Sequence, residues 1–192
     1  MIHIQKELTK TGFSINPLSY IIKKKQGKSD FNTLKYFCIL LILDDLTITI
    51  EEETYEIKSN SVVFIGPHKM LSFSEYKRKE IFIYSFSSRF YEQHSNNPTC
   101  IYSVLFFNSK TDIFHIPYID TPKNTIKYYL VDRLYNFQNK NEKLFISAAY
   151  TIIKSLILDA SLVLNTKVNE KTEKSRYTTN ILTSFNMKIK RN

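Results

Sequence analysis

The chain has 192 residues, 43% of them hydrophobic and 14% aromatic, enough to bury a real core and too apolar for a disordered segment. It carries three glycines, Gly12, Gly27 and Gly66, and their scatter excludes both a P-loop and a dinucleotide-binding turn, each of which needs clustered glycines. The net charge of +9 is uneven: residues 167–192 hold seven basic against two acidic side chains. That basic tail is either a sign of nearby nucleic acid or a solvated linker.

In chain order, residues 1–35 are mixed, with a polar turn at Lys23–Asp30. Tyr36–Leu43 is a continuous apolar run of strand length, stopped by Asp44 and Asp45. Leu46, Ile48 and Ile50 then alternate with polar residues, Glu52 and Glu53 make a turn, and Tyr55 and Ile57 alternate in the return strand. This is a hairpin with one wet face. Asn60 suits a left-handed turn. Val62–Ile65 is a buried strand ended by Gly66 and Pro67, and Met70–Phe73 and Ile81–Phe86 are two more. Ile101–Phe107 and Ile113–Tyr118 are candidate edge strands. Short strands at this spacing predict an antiparallel sandwich or barrel.

The pattern changes at Thr121 and Pro122, an N-cap and first-turn pair that predicts a helix carrying Ile126, Leu130, Leu134 and Phe137. After a short connection a second helix returns antiparallel. Its apolar seam, Ile146, Ala149, Ile153, Leu156, Ala160 and Val163, is spaced 3, 4, 3, 4, 3. Phe145, Ile152, Ile157, Leu158 and Leu164 fall on other faces, more than one packed side can hold. The expectation is therefore a homodimer through this seam, with burial inside one subunit as the alternative. Lys154 and Asp159 near the middle argue against a membrane span over Leu144–Leu164. Residues 166–192 read as a polar linker and the opening of a further helix.

Catalytic constellations are missing from the sequence. The four histidines, His3, His68, His94 and His115, have no metal-ligand spacing, so no metal or other cofactor is expected. No G-x-S-x-G surrounds a serine. Asp44–Asp45 and Glu51–Glu53 flank strands, where turn and edge roles are commoner than acid–base pairs. Cys38 and Cys100 form no C-x-x-C, Cys38 reads as a small buried hydrophobe, and no signal peptide opens the chain. A cytoplasmic, non-enzymatic protein is expected.

One stretch resembles a known family. Residues 46–67, LTITIEEETYEIKSNSVVFIGP, continuing to Ser72 and Phe73, together with 83–91, IYSFSSRFY, resemble the cupin-like sensor domain of AraC-type transcription regulators. The Phe-rich stretch Leu105–Asn108 and the two following helices keep the same order, so the resemblance covers roughly residues 30–165. It implies a mainly β fold with C-terminal helices: a jelly-roll, cupin-like antiparallel barrel with an N-terminal arm over 1–120, then an antiparallel helical hairpin for dimerisation over 121–165. A small-molecule effector would bind inside the barrel and DNA would be read only by a C-terminal helix-turn-helix half, absent here, so that the chain is expected to be a fragment. Asn60 stands where that family usually has Gly, and Leu71 where it often has His, which favours an apolar pocket. Strand phase nominates Tyr36, Cys38, His68, Met70, Tyr84 and Phe86 as ligand contacts, with plain core packing as the alternative for each. The competing assignment is a stand-alone cupin-fold enzyme or small-molecule-binding protein.

Overall fold

The computed structural model describes residues 8–24, 30–74, 76–95, 101, 104–107, 113–115, 121–138 and 140–189. For 24, 104, 113–115 and 166–189 only the backbone path is described. A five-stranded antiparallel sheet has the order β1-β8-β3-β6-β9, with β1 Phe13–Pro17, β8 Ile81–Phe86, β3 Phe37–Ile42, β6 Ser61–Ile65 and β9 Ile113–His115. A four-stranded sheet has the order β2-β7-β4-β5, with β2 Asp30–Asn32, β7 Met70–Phe73, β4 Leu46–Ile50 and β5 Glu53–Ile57. The mainly β architecture with C-terminal helices is the one expected from the sequence.

Three layers explain the apolar runs. Successive side chains of a strand point to opposite faces, and the larger sheet is covered on both. Phe37, Ile39 and Leu41 of β3, Val62 and Phe64 of β6, and Phe82, Tyr84 and Phe86 of β8 face the helices. Cys38, Leu40, Ile42, Val63, Ile65, Ile81 and Ile83 face the smaller sheet. A strand buried on both sides has no polar alternation to show, which is why β3 reads as an unbroken run. The smaller sheet is wet on one face, and β4 accordingly alternates buried and half-buried residues.

Helices complete the structure. α1, Leu18–Lys24, places Leu18, Ile21 and Ile22 in the inter-sheet core. α2 is Ser88–His94, capped by the Ser87 hydroxyl, which accepts from the Phe90 N–H. α3, Val104–Phe107, lies across β6, and a Cβ on Gly66 would sit 2.5 Å from the Phe106 carbonyl oxygen, so only glycine allows that approach. α4 runs from Lys123 to Gln138 with a π turn at Tyr128–Asp132, and α5 spans Glu142–Ile189.

Several expectations change. β1, within the stretch read as an arm, is the edge strand beside β8, with Phe13 opposite Phe86. Val104–Phe107 is helical where an edge strand was expected, whereas Ile113–His115 does add an edge, to β6. The cap of α4 is at Pro122, one residue later than predicted, with no side-chain cap bond. The π turn inserts one residue, so Ile126, Val131 and Leu134 are buried and Leu130 is displaced to partial burial. The backbone of 166–189 continues α5 rather than forming a linker.

The dimer seam is also corrected. Ala149, Ile153, Leu156 and Ala160 are buried inside the single chain, and Ile146 and Val163 pack against the same core. Those six residues therefore form the side of α5 that docks on the larger sheet and α4. The opposite side carries Leu144, Leu158 and Leu162, 53%, 55% and 66% exposed. At 100° per residue these three fall within about 40° of one another. Among the described residues, Glu142–Asn165 is also the one segment long and apolar enough to cross a membrane.

Candidate functional site

The six nominated ligand contacts do not converge. Cys38 lies between the sheets with its Sγ 3.5 Å from Ser85 Oγ, and burial pushes its thiol up to about 12, far from the reactive thiolate range. Tyr84 and Phe86 point the other way, into the helix layer. Tyr84 is fully buried, and its hydroxyl donates to the Leu130 carbonyl at 2.9 Å, within the π turn of α4. Burial raises its phenol well above the ordinary value. Phe86 stacks on Phe37. Met70 is exposed at the start of β7 and accepts from Asn32 Nδ2 through its sulfur. His68 is an exposed turn residue in a left-handed conformation, φ 61°, whose N–H donates to the Leu34 carbonyl. Tyr36 is buried just ahead of β3 and alone lines a cavity lined by described residues.

The inter-sheet space is filled by aliphatic side chains such as Leu40, Ile42, Ile48, Val63 and Leu71. The cavities lined by described residues open elsewhere. One, of about 280 Å³, lies at the β4–β5 turn beneath Phe106 and is rimmed by Glu51, Glu52, Glu53 and Lys69. Two of its carboxylates are used locally: Glu51 accepts from the Met70 N–H at 2.9 Å, and Glu53 from the Tyr55 hydroxyl. A second, of about 600 Å³, opens between residues 8–12, Lys35–Tyr36 and the β8–α2 corner. Lys10, Lys35 and Arg89 line it, and no carboxylate does. Strand phase nominated only Tyr36 of its wall, because the other wall residues lie just outside the strands; the common end reached by β1, β3 and β8 becomes visible only once their register is known.

A charged cluster fixes α4 to the strands. Lys123 bridges Asp44 and Glu80, with 3.0 Å to the latter, and Lys127 also pairs with Glu80. Asp44 accepts in addition from the Glu80 N–H at 2.7 Å. Desolvation pushes the Asp44 carboxyl up, and the Lys123 and Glu80 hydrogen bonds outweigh it, so its net shift is downward. The Glu80 carboxyl is lowered chiefly by the hydrogen bonds from Lys127 and Lys123. Asp45 accepts from the Ser59 N–H at 2.8 Å. Asp44 and Asp45 therefore serve as turn and docking residues, as their position between strands implies. Among the described residues no three His, Cys, Asp or Glu side chains gather as a metal site would require.

No protein-family model and no curated protein matches this sequence. Among solved structures the chain is weakly similar to ToxT, an AraC-family regulator. ToxT from Vibrio cholerae O395 is matched at TM-score 0.36 and 11% identity over 77% of this chain and 55% of that one. An apo variant of ToxT from Vibrio cholerae strain SCE256 is matched at TM-score 0.41 and 11% identity over 84% and 57%. ToxT from strain O395 bound to (E)-4-(8-methylnaphthalen-1-yl)but-3-enoic acid gives TM-score 0.30 and 11% identity over 70% and 60%. The chain thus spans under two thirds of the length of each.

Proposed function

We propose that this chain is the ligand-sensing and dimerisation part of an AraC-type transcription regulator. In this reading it is a cytoplasmic, non-catalytic homodimer that engages no membrane, binds a small effector, and acts on DNA through a helix-turn-helix half outside these 192 residues. The observation that carries the reading is the two-sided helix α5. One face of it is core, and the other offers Leu144, Leu158 and Leu162 to solvent, where a second copy of the chain would cover them. The order of parts supports the same reading: a two-sheet β unit, a connecting helix α4, then α5. Effector binding would act by shifting a population between two arrangements of the helices and the DNA-binding half.

Light scattering with metal analysis on the same peak tests this. A metal-free dimer is expected. A monomer carrying one metal per chain would replace the reading with that of a cupin-fold enzyme.

A further inference from the structure

We propose that the cavity at the β8–α2 corner binds a small organic anion carrying a carboxylate or phosphate group. The topology builds its walls. Phe86, at the end of β8, pairs with Phe13 at the start of β1 and with Phe37 at the start of β3. The residues just before β1, just before β3 and just after β8 therefore emerge together at one end of the larger sheet, and these are the segments that enclose the cavity.

The corner is fixed before any ligand arrives. The Ser87 N–H donates to the Gly12 carbonyl at 2.9 Å, and the Thr11 hydroxyl bonds both the N–H and the carbonyl of Phe13. Gly12 has φ 75°, and a Cβ there would meet Ser87 Oγ at 2.9 Å and Phe90 Cβ at 3.0 Å. A volume of about 600 Å³ falls in the range of small-ligand pockets.

Charge selects the ligand. Of the three cations, Lys10 already pairs with Glu142 at 2.9 Å. Lys35 and Arg89 have no carboxylate partner among the described residues; the Lys35 ammonium lies 5.9 Å from the centre of the Tyr36 ring. Two unneutralised cations facing one concavity focus a positive potential inside it. An oxyanion answers that potential and takes the forked guanidinium of Arg89 through two parallel hydrogen bonds. The Ser87 hydroxyl, which accepts from the Phe90 N–H at 3.1 Å, keeps its own hydrogen to donate. Tyr36, Leu8 and Phe90 supply apolar wall for the body of the ligand. The glutamate-rimmed cavity at the β4–β5 turn has the opposite character and would repel the same molecule. This assignment rests on the cavity alone and holds whether or not the chain serves a DNA-binding half.

The test titrates the full chain with benzoate and phenyl phosphate, and with benzamide as the uncharged counterpart, followed by amide NMR shifts. Saturable binding of at least one anion is expected, with shifts at Gly12, Tyr36 and Ser87 and at least tenfold weaker binding of benzamide. The tighter anion identifies the head group. Arg89→Gln and Lys35→Gln should each weaken it roughly tenfold, within the range for hydrogen bonds to charged groups, while Lys58→Gln, at an exposed lysine outside the cavity, leaves it unchanged. Both side chains are exposed, so the variants should melt as the parent does. Equal binding of benzamide, full binding by the Lys35→Gln/Arg89→Gln double variant, or no saturable shift at about 10 mM, where even a Kd near 1 mM saturates, would overturn the proposal.

Discussion

The two faces of α5 give opposite answers to the same substitution. Leu158 and Leu162 are 55% and 66% exposed, whereas Ile153 and Leu156 are at most 3% exposed. Fully burying a leucine is worth about 1.5–3 kcal/mol, so the exposed parts leave roughly 1–2 kcal/mol per side chain for a partner to claim. A twofold contact counts each residue twice, so Leu158→Lys with Leu162→Lys should remove about 4–8 kcal/mol of association free energy, near a thousandfold in Kd at the lower end. The same pair should change the stability of the separated subunit by only about 1 kcal/mol, as exposed substitutions do. Ile153→Ala, by contrast, opens a cavity against the larger sheet at a cost of about 2–5 kcal/mol, and Ile153→Lys buries an unpaired ammonium and should prevent folding. Sedimentation equilibrium and thermal melts read both quantities. A dimer that survives the two lysines would refute the assignment of this face. So would a parent chain that is monomeric at high micromolar concentration.

Other perturbations probe how the helices are held. Tyr84→Phe leaves the Leu130 carbonyl of the π turn without its donor and should cost about 1–2 kcal/mol, a fall of roughly 2–8 °C in Tm for a chain of this size; an unchanged Tm would show that the hydroxyl does not hold the turn. The carboxyls of Asp44 and Glu80 are both lowered on folding, so their contribution is present above the unfolded pKa values, about 3.9–4.3, and fades as pH falls through the lower folded ones. Tyrosine fluorescence should accordingly report α4 loosening below about pH 4. Glu80→Gln should cost about 0.5–1 kcal/mol, since these pairs are one-third exposed and screened, with 1 M salt narrowing the gap to the parent; a gap that widens in salt would contradict the ion-pair account. Gly12→Ala forces a side chain into a left-handed conformation against Ser87 and Phe90, and a loss of about 1–3 kcal/mol is expected in denaturant melts.

The positions of most strands along the chain were legible in the sequence, because alternation and turn chemistry are local. The β4–β5 hairpin follows from period two, and Asn60 takes the left-handed conformation, φ 57°, expected of it. β1 was hidden because Phe13 to Pro17 is five residues with a terminal proline, and pairing with β8 across some seventy residues is what makes it a strand. The displacement of Leu130 by Val131 was equally hidden: a π turn is a one-residue slip that helical periodicity cannot register, and it is stabilised by a tyrosine from a distant strand.

The site was less legible than the fold, and the reason is the same for both failures. Strand phase tells which residues share a face, but β3 and β8 are covered on both faces, so an inward direction is not unique: Cys38 goes to one layer while Tyr84 and Phe86 go to the other. The seam of α5 failed likewise. Its regular spacing marks one side of a helix without saying whether that side meets its own sheet or a second copy. What distinguishes the alternatives is the residue content of the opposite side. A helix that buries Ile153 and Leu156 still presents Leu144, Leu158 and Leu162 on its other side, where exposed Thr151 and Ser155 separate the first leucine from the other two. The cavity residues Lys10, Lys35 and Arg89 carry no shared period at all, since they lie on three segments joined only by the register of β1, β3 and β8. Periodicity therefore finds the faces of this protein, whereas its charged corner depends on topology.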